Sequence, residues 1–281
     1  MIKAMLEYQF LQNAFWAGIL ASIVCGVIGV IIVEKKLVMM SGGIAHTSYG
    51  GVGFGYWTGI EPVLGALVFS VAAALGIGYI KRKGGTRSDV VISLLWSLGM
   101  ALGILFIALM PGYPPDISSY LFGSILSVTQ TDLYMMTGET LIVVLAVAAF
   151  YNHWKAYLFD EEFASVIGIR TAFLEYFLLI LIAMTVVVLI RVVGIILVLA
   201  LLTSPAATAA IFTANLKKRM IYSVLIGNVF CFAGLWISYR MNIASGASIV
   251  VISVLSYLTA YLVHGRTGKI KTSSGSHGIR L

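Results

Sequence analysis

The 281-residue chain is 60% hydrophobic and only 10% charged, and its mean hydropathy is +1.02. A soluble domain carries about 25% charged residues, so the composition excludes a water-soluble globular protein. The net charge of +7 is consistent with basic cytoplasmic loops, and we expect no nucleic-acid partner. The longest polar connection leaves no room for a soluble domain, so any ATP-driven motor must be another chain.

Apolar runs of about 20 residues recur between Phe15 and His264, each long enough to cross the membrane as a helix. The runs are continuous rather than alternating, which disfavours a β-barrel. We therefore predict an all-α, polytopic integral membrane protein with eight or nine transmembrane helices. Eight result if the region around Arg191 is a single kinked element. The predicted spans cover 14–33, 38–57, 62–80, 89–110, 132–150, 173–190, 192–213, 220–238 and 247–264.

Basic residues are distributed unevenly over the predicted loops. With the N-terminus outside, 15 of the 18 lysines and arginines fall on the inner side, and only Lys3, Arg191 and Arg240 fall elsewhere. Cytoplasmic loops carry such an excess of basic residues. The pattern predicts a multi-pass protein of the cell membrane, surrounded by lipid, with its N-terminus outside and its C-terminus in the cytoplasm.

Two segments fall outside the predicted spans. The apolar stretch 117–128 follows an external Pro-rich turn and is too short to span, so it is expected to lie in the interface or to re-enter the membrane. The final 17 residues, 265–281, are basic and rich in Gly and Ser, which is typical of disorder. The predicted organisation is therefore a transmembrane domain, 1–264, followed by a disordered cytoplasmic tail.

The second span contains a histidine among glycines, in the sequence SGGIAHTSYGG (41–51). His46 lies about ten residues beyond Lys36, or roughly 15 Å along a helix, which places it near the bilayer centre. An ionisable group at that depth needs a reason. Imidazole is a good ligand for transition metals, so His46 is a candidate pathway ligand. The alternative is a histidine that donates to a carbonyl of a neighbouring helix.

Four acids lie near span ends or within spans. Glu139 follows Asp132 by two helical turns, so both share one helix face. Glu139 is a weaker metal-ligand candidate, because it either lines a cation path or lies at the outer water boundary. Asp116 and Asp132 flank the short outer segment and would attract cations. Glu175 lies at a cytoplasmic span end, where we expect it to be solvated.

The inner loop YLFDEEFASVIGIR (157–170) predicts a short amphipathic helix. Its apolar stripe has helical spacing and consists of Phe159, Phe163, Val166 and Ile167. Three acids load its N-terminal turn, where they suit the helix dipole: Asp160, Glu161 and Glu162. Gly168 then ends the helix. Helices that lie on lipid are usually basic, so the acidic helix is expected to dock into a groove of another protein.

At this point the chain resembles a known family, the permease subunits of the zinc, manganese and iron-type ABC importers. Six stretches match in order: EKKLVMMSGGIAH, TRSDVVISLLWSLGMALGILFI, DISSYLFGSILSVTQTDL, FDEEFASVIGI, VVGIILVLALLTSPAATA and GLWISYRMNIASGASIVV. The six stretches lie between Glu34 and Val251, and the resemblance extends over residues from about 14 to 263. The resemblance implies a type II ABC importer-like fold and an ATP-driven importer of divalent metal ions, zinc or manganese first and iron also.

The resemblance also implies partners. These are two cytoplasmic ABC ATPase subunits, an extracellular or periplasmic metal-binding protein and a second permease copy, most simply in a homodimer. The segment FDEEFASVIG is similar to the coupling helix of such importers, with Ala164 and Gly168 in the family's acid-x-A-x-x-x-G arrangement. The ATPase-coupling residues would be Phe159, Asp160, Glu161, Glu162, Phe163, Ala164 and Gly168. No permanently bound cofactor is implied, only the transported ion.

Family members often carry a GDAxSHAxxPG pattern in the second span, whose Asp and His are regarded as metal ligands. His46 matches the histidine, but Gly42 stands at the position of the Asp and Gly50 at that of the Pro. An anionic ligand is therefore absent from this stretch, and a carboxylate from elsewhere, such as Glu139, is one way to replace it. The metal and its coordination mode stay open.

Other functions remain as alternatives. The same machinery could carry a metal chelate such as a siderophore or haem, since the second span is rich in glycine. An ion-coupled secondary transporter would need no motor, and residues 157–170 would then have no role. An intramembrane enzyme is disfavoured, because the chain has no HExxH, GxSxG, Walker A or CxxC motif.

Overall fold

The computed structural model describes residues 7–83, 88–112, 120 and 123–273, with backbone alone at 88 and 265–273. This part of the chain contains eleven α-helices and one short 3₁₀ turn. The helices are α1 (Gln9–Glu34), α2 (Val38–Thr58), α3 (Pro62–Arg82), α4 (Ser88–Leu109), α5 (Gln130–Ala149), α6 (Tyr151–Phe159), α7 (Glu161–Val166), α8 (Thr171–Val193), α9 (Ile195–Phe212), α10 (Leu216–Met241) and α11 (Ser245–Ser273), and the 3₁₀ turn is Ile125–Ser127.

The nine long helices occupy the nine predicted positions, and the predicted all-α membrane class is confirmed. Among the described residues, eight of these helices are long and apolar enough to cross a membrane. The ninth, α2, has 21 residues, the same length as α3. Its glycines and hydroxyl residues lower its hydropathy below that of a typical span, which is why the sequence marks it as weak.

Ion pairs lie at the two ends of the bundle and show which helix ends meet. At one end, the ion pairs are Glu34 with Arg219, Lys35 with Glu161, and Glu175 with both Lys81 and Arg82. The other end gathers Arg191 with Glu61 and Asp132. These contacts fit nine helices that run alternately from one end of the bundle to the other.

The apolar core is centred on α1, α8 and α9, whose buried residues include Ile28, Ile182 and Val198. By contrast, α4 and α11 are the least covered of the apolar spans and lie at the periphery. Between α8 and α9 the helical conformation is interrupted at the single residue Gly194, whose φ of +79° suits glycine. The region around Arg191 therefore forms two separate helices, with Arg191 inside the first.

Two of the predicted non-span segments have more regular structure than their composition indicates. Of the stretch 117–128, the described part forms the 3₁₀ turn and buries Ile125, and Asn13 of α1 donates a hydrogen bond to the carbonyl of Val128 at 2.9 Å. Asp116 and the rest of the Pro-rich turn after Gly112 lie outside the described residues. At the C-terminus, α11 continues to Ser273, into the segment for which disorder is predicted. Residues 274–281 lie outside the described part.

Candidate metal site and docking face

His46 lies on α2 and faces α4. The two helices approach closely: a Cβ added at Gly99 of α4 would lie 2.5 Å from the Cα of Thr47. The Thr47 hydroxyl also donates to the carbonyl of Leu95 at 3.2 Å, which ties α2 to α4. Glycine at position 99 is therefore required by the spacing of the helices, and this spacing brings two α4 side chains to the histidine.

Those two side chains are Trp96 and Met100. The imidazole of His46 stacks on the indole of Trp96, with ring centroids 3.9 Å apart and planes 15° from parallel. Its Nδ1 lies 3.4 Å from the Sδ of Met100. His46 is half-buried and, in the described structure, its polar contact is to sulfur. This contact differs from the interpretation in which His46 donates to a carbonyl of a neighbouring helix, and the role of His46 as a metal ligand stays a prediction.

Trp96 also lies against Gly42, the position at which the family pattern has an aspartate. A Cβ added at Gly42 would meet the six-membered ring of the Trp96 indole at 3.1 Å. The space into which a side chain at position 42 would extend is therefore taken by the same ring that stacks on His46. An aspartate there would require the indole to shift by a few tenths of an ångström.

Glu139 of α5 is buried, and Thr185 of α8 donates to its Oε1 at 3.0 Å. The outer-boundary interpretation of Glu139 does not fit its burial. Its described partner is on α8, whereas His46 contacts α4. Within the described residues, no three His, Cys, Asp or Glu side chains lie close enough to hold an ion together. The structure therefore does not show Glu139 as the carboxylate that completes a site at His46.

Asp132 begins α5 and makes two kinds of contact. Its carboxylate accepts hydrogen bonds from the backbone and hydroxyl of Thr129 in a capping box. Its other oxygen pairs with the Nε of Arg191 at 2.9 Å. The neighbouring cavity of about 270 Å³ includes Tyr56, Tyr120 and Arg191 in its lining. A guanidinium beside this carboxylate opposes cation binding there, and the ion pair joins the start of α5 to the end of α8.

At the opposite end of the bundle, Glu175 is buried, so the prediction that it is solvated is wrong. Its side chain is only 3% exposed, and its oxygens pair with Lys81 at 2.7 Å and Arg82 at 2.9 Å. Because two cations at the end of α3 cover it, the carboxylate is buried despite its position near a span end. These pairs fasten the start of α8 to the end of α3.

The predicted amphipathic helix corresponds to α7, Glu161–Val166, at the same end of the bundle, but Phe159 of the predicted stripe is the last residue of α6, because the chain is extended at Asp160. Asp160 caps it by accepting from the backbone N–H of Phe163 at 3.0 Å, and Gly168 ends the segment with φ of +86°. Ala164 is fully buried, whereas Phe159 and Val166 are 90% and 84% exposed. We call the exposed apolar residues Phe159, Phe163, Val166 and Ile167 the α7 face. This surface protrudes uncovered beside exposed Glu162.

One lysine joins α7 to the turn between α1 and α2. The Nζ of Lys35 pairs with Glu161 at 2.7 Å, donates to the carbonyl of Tyr157 at 3.4 Å and lies 3.6 Å from the centroid of the Tyr157 ring. Burial, with the carboxylates of Glu175 and Glu161 nearby, raises the pKa of the Tyr157 phenol well above its ordinary value. The tyrosine is therefore neutral, and its ring is available to the lysine.

The nine long helices form a multi-pass membrane bundle with a half-buried histidine inside it, and α7 protrudes at one end with acids in its first turn. These features define a membrane transport protein. A family model described as the ABC 3 transport family matches residues 7–264. The chain belongs to this family of metal ABC transport permeases, and the family identified from the six sequence stretches is confirmed.

Individual relatives extend over the whole chain. An uncharacterized membrane protein of Synechocystis sp. is 42% identical, covering 92% of this chain and 93% of its own. The manganese transport system membrane protein MntC of Listeria monocytogenes is 35% identical, covering 95% of both. Among solved structures, PsaBC from Streptococcus pneumoniae in complex with Fab superimposes with a TM-score of 0.84 at 33% identity, covering 92% of this chain and 94% of that one.

Sequence reasoning missed three residues that surround the predicted site residues: Trp96, Met100 and Lys35. Trp96 and Met100 are four residues apart, so a helical reading of α4 places them on one face. Nothing in that spacing says that the face meets His46. The contact depends on the glycine-mediated approach of α2 and α4, which is a property of the packed bundle.

Proposed function

We propose that the chain is the transmembrane permease subunit of an ATP-driven importer for divalent transition-metal ions, zinc or manganese first and iron also. The observation that carries the ATP-driven part is the uncovered α7 face. Family membership and the manganese transport names of relatives support a metal cargo. His46 is the proposed ligand in the ion pathway, and the chain itself performs no ATP hydrolysis.

The α7 face fits a protein partner better than it fits lipid. Helix α7 has two acids in its first turn and no basic residue in its last turn, which disfavours an anionic lipid surface. We propose that it docks into a separate cytoplasmic ABC ATPase subunit. This places the α7 end of the bundle in the cytoplasm, the N-terminus outside and the C-terminus inside. The basic loop residues at that end agree with this orientation.

A second permease copy would cover α4. This helix exposes Ser93, Ser97 and Ala101 at successive four-residue steps. Small and hydroxyl residues are typical of helix contacts within a membrane. We propose a homodimer that forms the ion pathway, loaded by an extracellular or periplasmic metal-binding protein at the end that carries Asp132 and Arg191.

Transport by purified complex tests the proposal. The tagged permease and its copurifying ATPase are reconstituted into liposomes, and uptake of radioactive zinc and manganese is measured with and without ATP. Phe163→Asp places a charge in the α7 face, and Phe163 is 56% exposed. Losing the burial of about half a Phe side chain costs roughly 1–1.5 kcal/mol, so the ATPase should bind about tenfold more weakly.

Ile243→Asp is the matched control, because Ile243 is 48% exposed and lies at the opposite end of the bundle. It should leave ATPase binding unchanged. Metal uptake that needs an ion gradient but no ATP, and that survives Phe163→Asp, would contradict the proposal and favour a secondary transporter. ATP-driven uptake of a metal chelate but not of free ions would favour the chelate alternative.

A further inference from the structure

The contact between His46 and Met100 places two metal-binding atoms side by side. The nitrogen Nδ1 and the sulfur Sδ are 3.4 Å apart and come from different helices, α2 and α4. In the tautomer that carries its proton on Nδ1, the imidazole donates to the sulfur. With the proton on Nε2 instead, neither Nδ1 nor Sδ carries a proton, and both can donate a lone pair to an ion. This change moves a proton within a neutral ring and alters no net charge.

The separation of the two atoms suits a tetrahedral ion. With a zinc–nitrogen bond of about 2.0–2.1 Å, and with the about 2.3 Å of zinc–thiolate bonds taken for the thioether, two ligands of a tetrahedral site lie about 3.6 Å apart. The observed 3.4 Å is close to that value. Stacking on Trp96 at 3.9 Å holds the imidazole plane in position, so little rearrangement of the ring is needed to bind an ion.

The donor set is neutral and soft. Imidazole and thioether favour zinc and softer ions, whereas manganese favours carboxylate, carbonyl and water oxygens. The position from which the family pattern would supply a carboxylate is Gly42, and the Trp96 ring lies 3.1 Å from the place of its Cβ. The indole therefore lies against this position, and it would have to shift by a few tenths of an ångström for an acidic side chain to enter the space beside His46.

We propose that His46 and Met100 together bind the transported ion, and that this site prefers zinc over manganese. The inference rests on the proposed function as a metal importer and specifies the cargo within it. It departs from the relatives that are named manganese transport proteins. Two protein donors leave room for water or for the second permease copy to complete the shell, and His46 is half-buried and thus reachable.

The test measures binding to the isolated full-length permease, so it does not depend on an ATPase. X-ray absorption of zinc-loaded protein should show nitrogen and a sulfur shell at about 2.3 Å. Met100→Leu preserves the side-chain volume but removes the sulfur, so the shell should be lost and zinc affinity should fall at least tenfold. Met110→Leu, at the end of the same helix and also half-buried, should keep both signals. The buried thiols Cys25 and Cys231 are unchanged in all variants.

A second experiment restores the carboxylate. Gly42→Asp combined with Trp96→Ala supplies an oxygen ligand and removes the ring that blocks it. This double variant should shift the ratio of zinc to manganese affinity toward manganese by at least tenfold, whereas Trp96→Ala alone should not.

The inference is overturned if a sulfur shell persists in Met100→Leu, or if the wild-type protein binds manganese as tightly as zinc. In that case ATP-driven metal uptake by reconstituted complex would still support the proposed function. Conversely, a zinc–sulfur signature without any ATP-driven uptake would refute the proposed function and leave the site standing.

Discussion

Lys35 offers the sharpest test of how α7 is connected to the proposed ion pathway. It caps the C-terminus of α1 and lies three residues before α2, the helix that carries His46. Its ammonium contacts Glu161 of α7 and the ring of Tyr157. The substitution Lys35→Met removes the charge and keeps most of the aliphatic stem, so it breaks this connection with little change in packing.

The size of the effect follows from burial. The Lys35 side chain is 13% exposed and that of Glu161 is 42% exposed, so the pair is partly screened. An exposed ion pair contributes about 0.2–1 kcal/mol, and a cation over an aromatic ring adds about 0.5–2 kcal/mol. We expect Lys35→Met to cost about 1.5 kcal/mol of folding stability. A double-mutant cycle with Glu161→Gln should give a coupling energy of about 1 kcal/mol.

The functional effect should exceed the loss of stability. Among the described residues, the ion pair of Lys35 is the one that fastens α7 to another element. If it transmits movement of α7 to the first turn of α2, Lys35→Met should leave ATP hydrolysis intact while metal transported per ATP falls several-fold. The assay measures both rates in proteoliposomes. Exposed Lys36 is the control position, and Lys36→Met should leave the ratio unchanged.

Two outcomes would refute this reasoning. A coupling energy near zero in the cycle would show that the contact has no energetic weight. An unchanged ratio of transport to hydrolysis in Lys35→Met, with the expected coupling energy present, would show that the contact stabilises the fold without transmitting movement.

Two further predictions concern the helix ends and the helix spacing. Glu175→Ala leaves Lys81 and Arg82 without their buried partner. Because both cations are one-third exposed, the loss of folding stability should be about 2 kcal/mol rather than the roughly 3–5 kcal/mol of a fully buried pair. Thermal unfolding in detergent measures this loss, and the control Glu162→Ala, at an exposed position, should stay near wild type. Gly99→Ala should destabilise by about 1–3 kcal/mol through overpacking and weaken zinc binding without touching a ligand, as titration would show. Gly138→Ala, where an added Cβ meets nothing within 4 Å, should do neither.

The fold was largely predictable because a membrane imposes one rule on every span. Backbone polar groups must be satisfied inside the segment, so each apolar run of sufficient length forms a helix regardless of what it packs against. The predicted limits of the second span, 38–57, differ from those of α2, Val38–Thr58, by a single residue. The disorder predicted for residues 265–281 followed from local composition alone, and the helix of α11 continues into that segment as far as Ser273.

The candidate site was less predictable because its contacts join distant parts of the sequence. His46 could be singled out, since an imidazole among apolar residues is costly by itself. Its partner Met100 could not, because methionine in a membrane protein is most often a packing residue. Glu175 shows the same limit, since its burial is set by cations 93 and 94 residues away.

The glycines of α2 and α4 connect the packing of the helices with the geometry of the candidate site. Gly99 allows the helices to approach, and the approach places Trp96 where a side chain at Gly42 would extend. A glycine in place of the expected aspartate is thus not an isolated loss, because the indole on α4 fills the space and positions His46 against Met100. A change in cargo chemistry would then require changes on both helices together, which is the reason that Gly42→Asp is tested with Trp96→Ala.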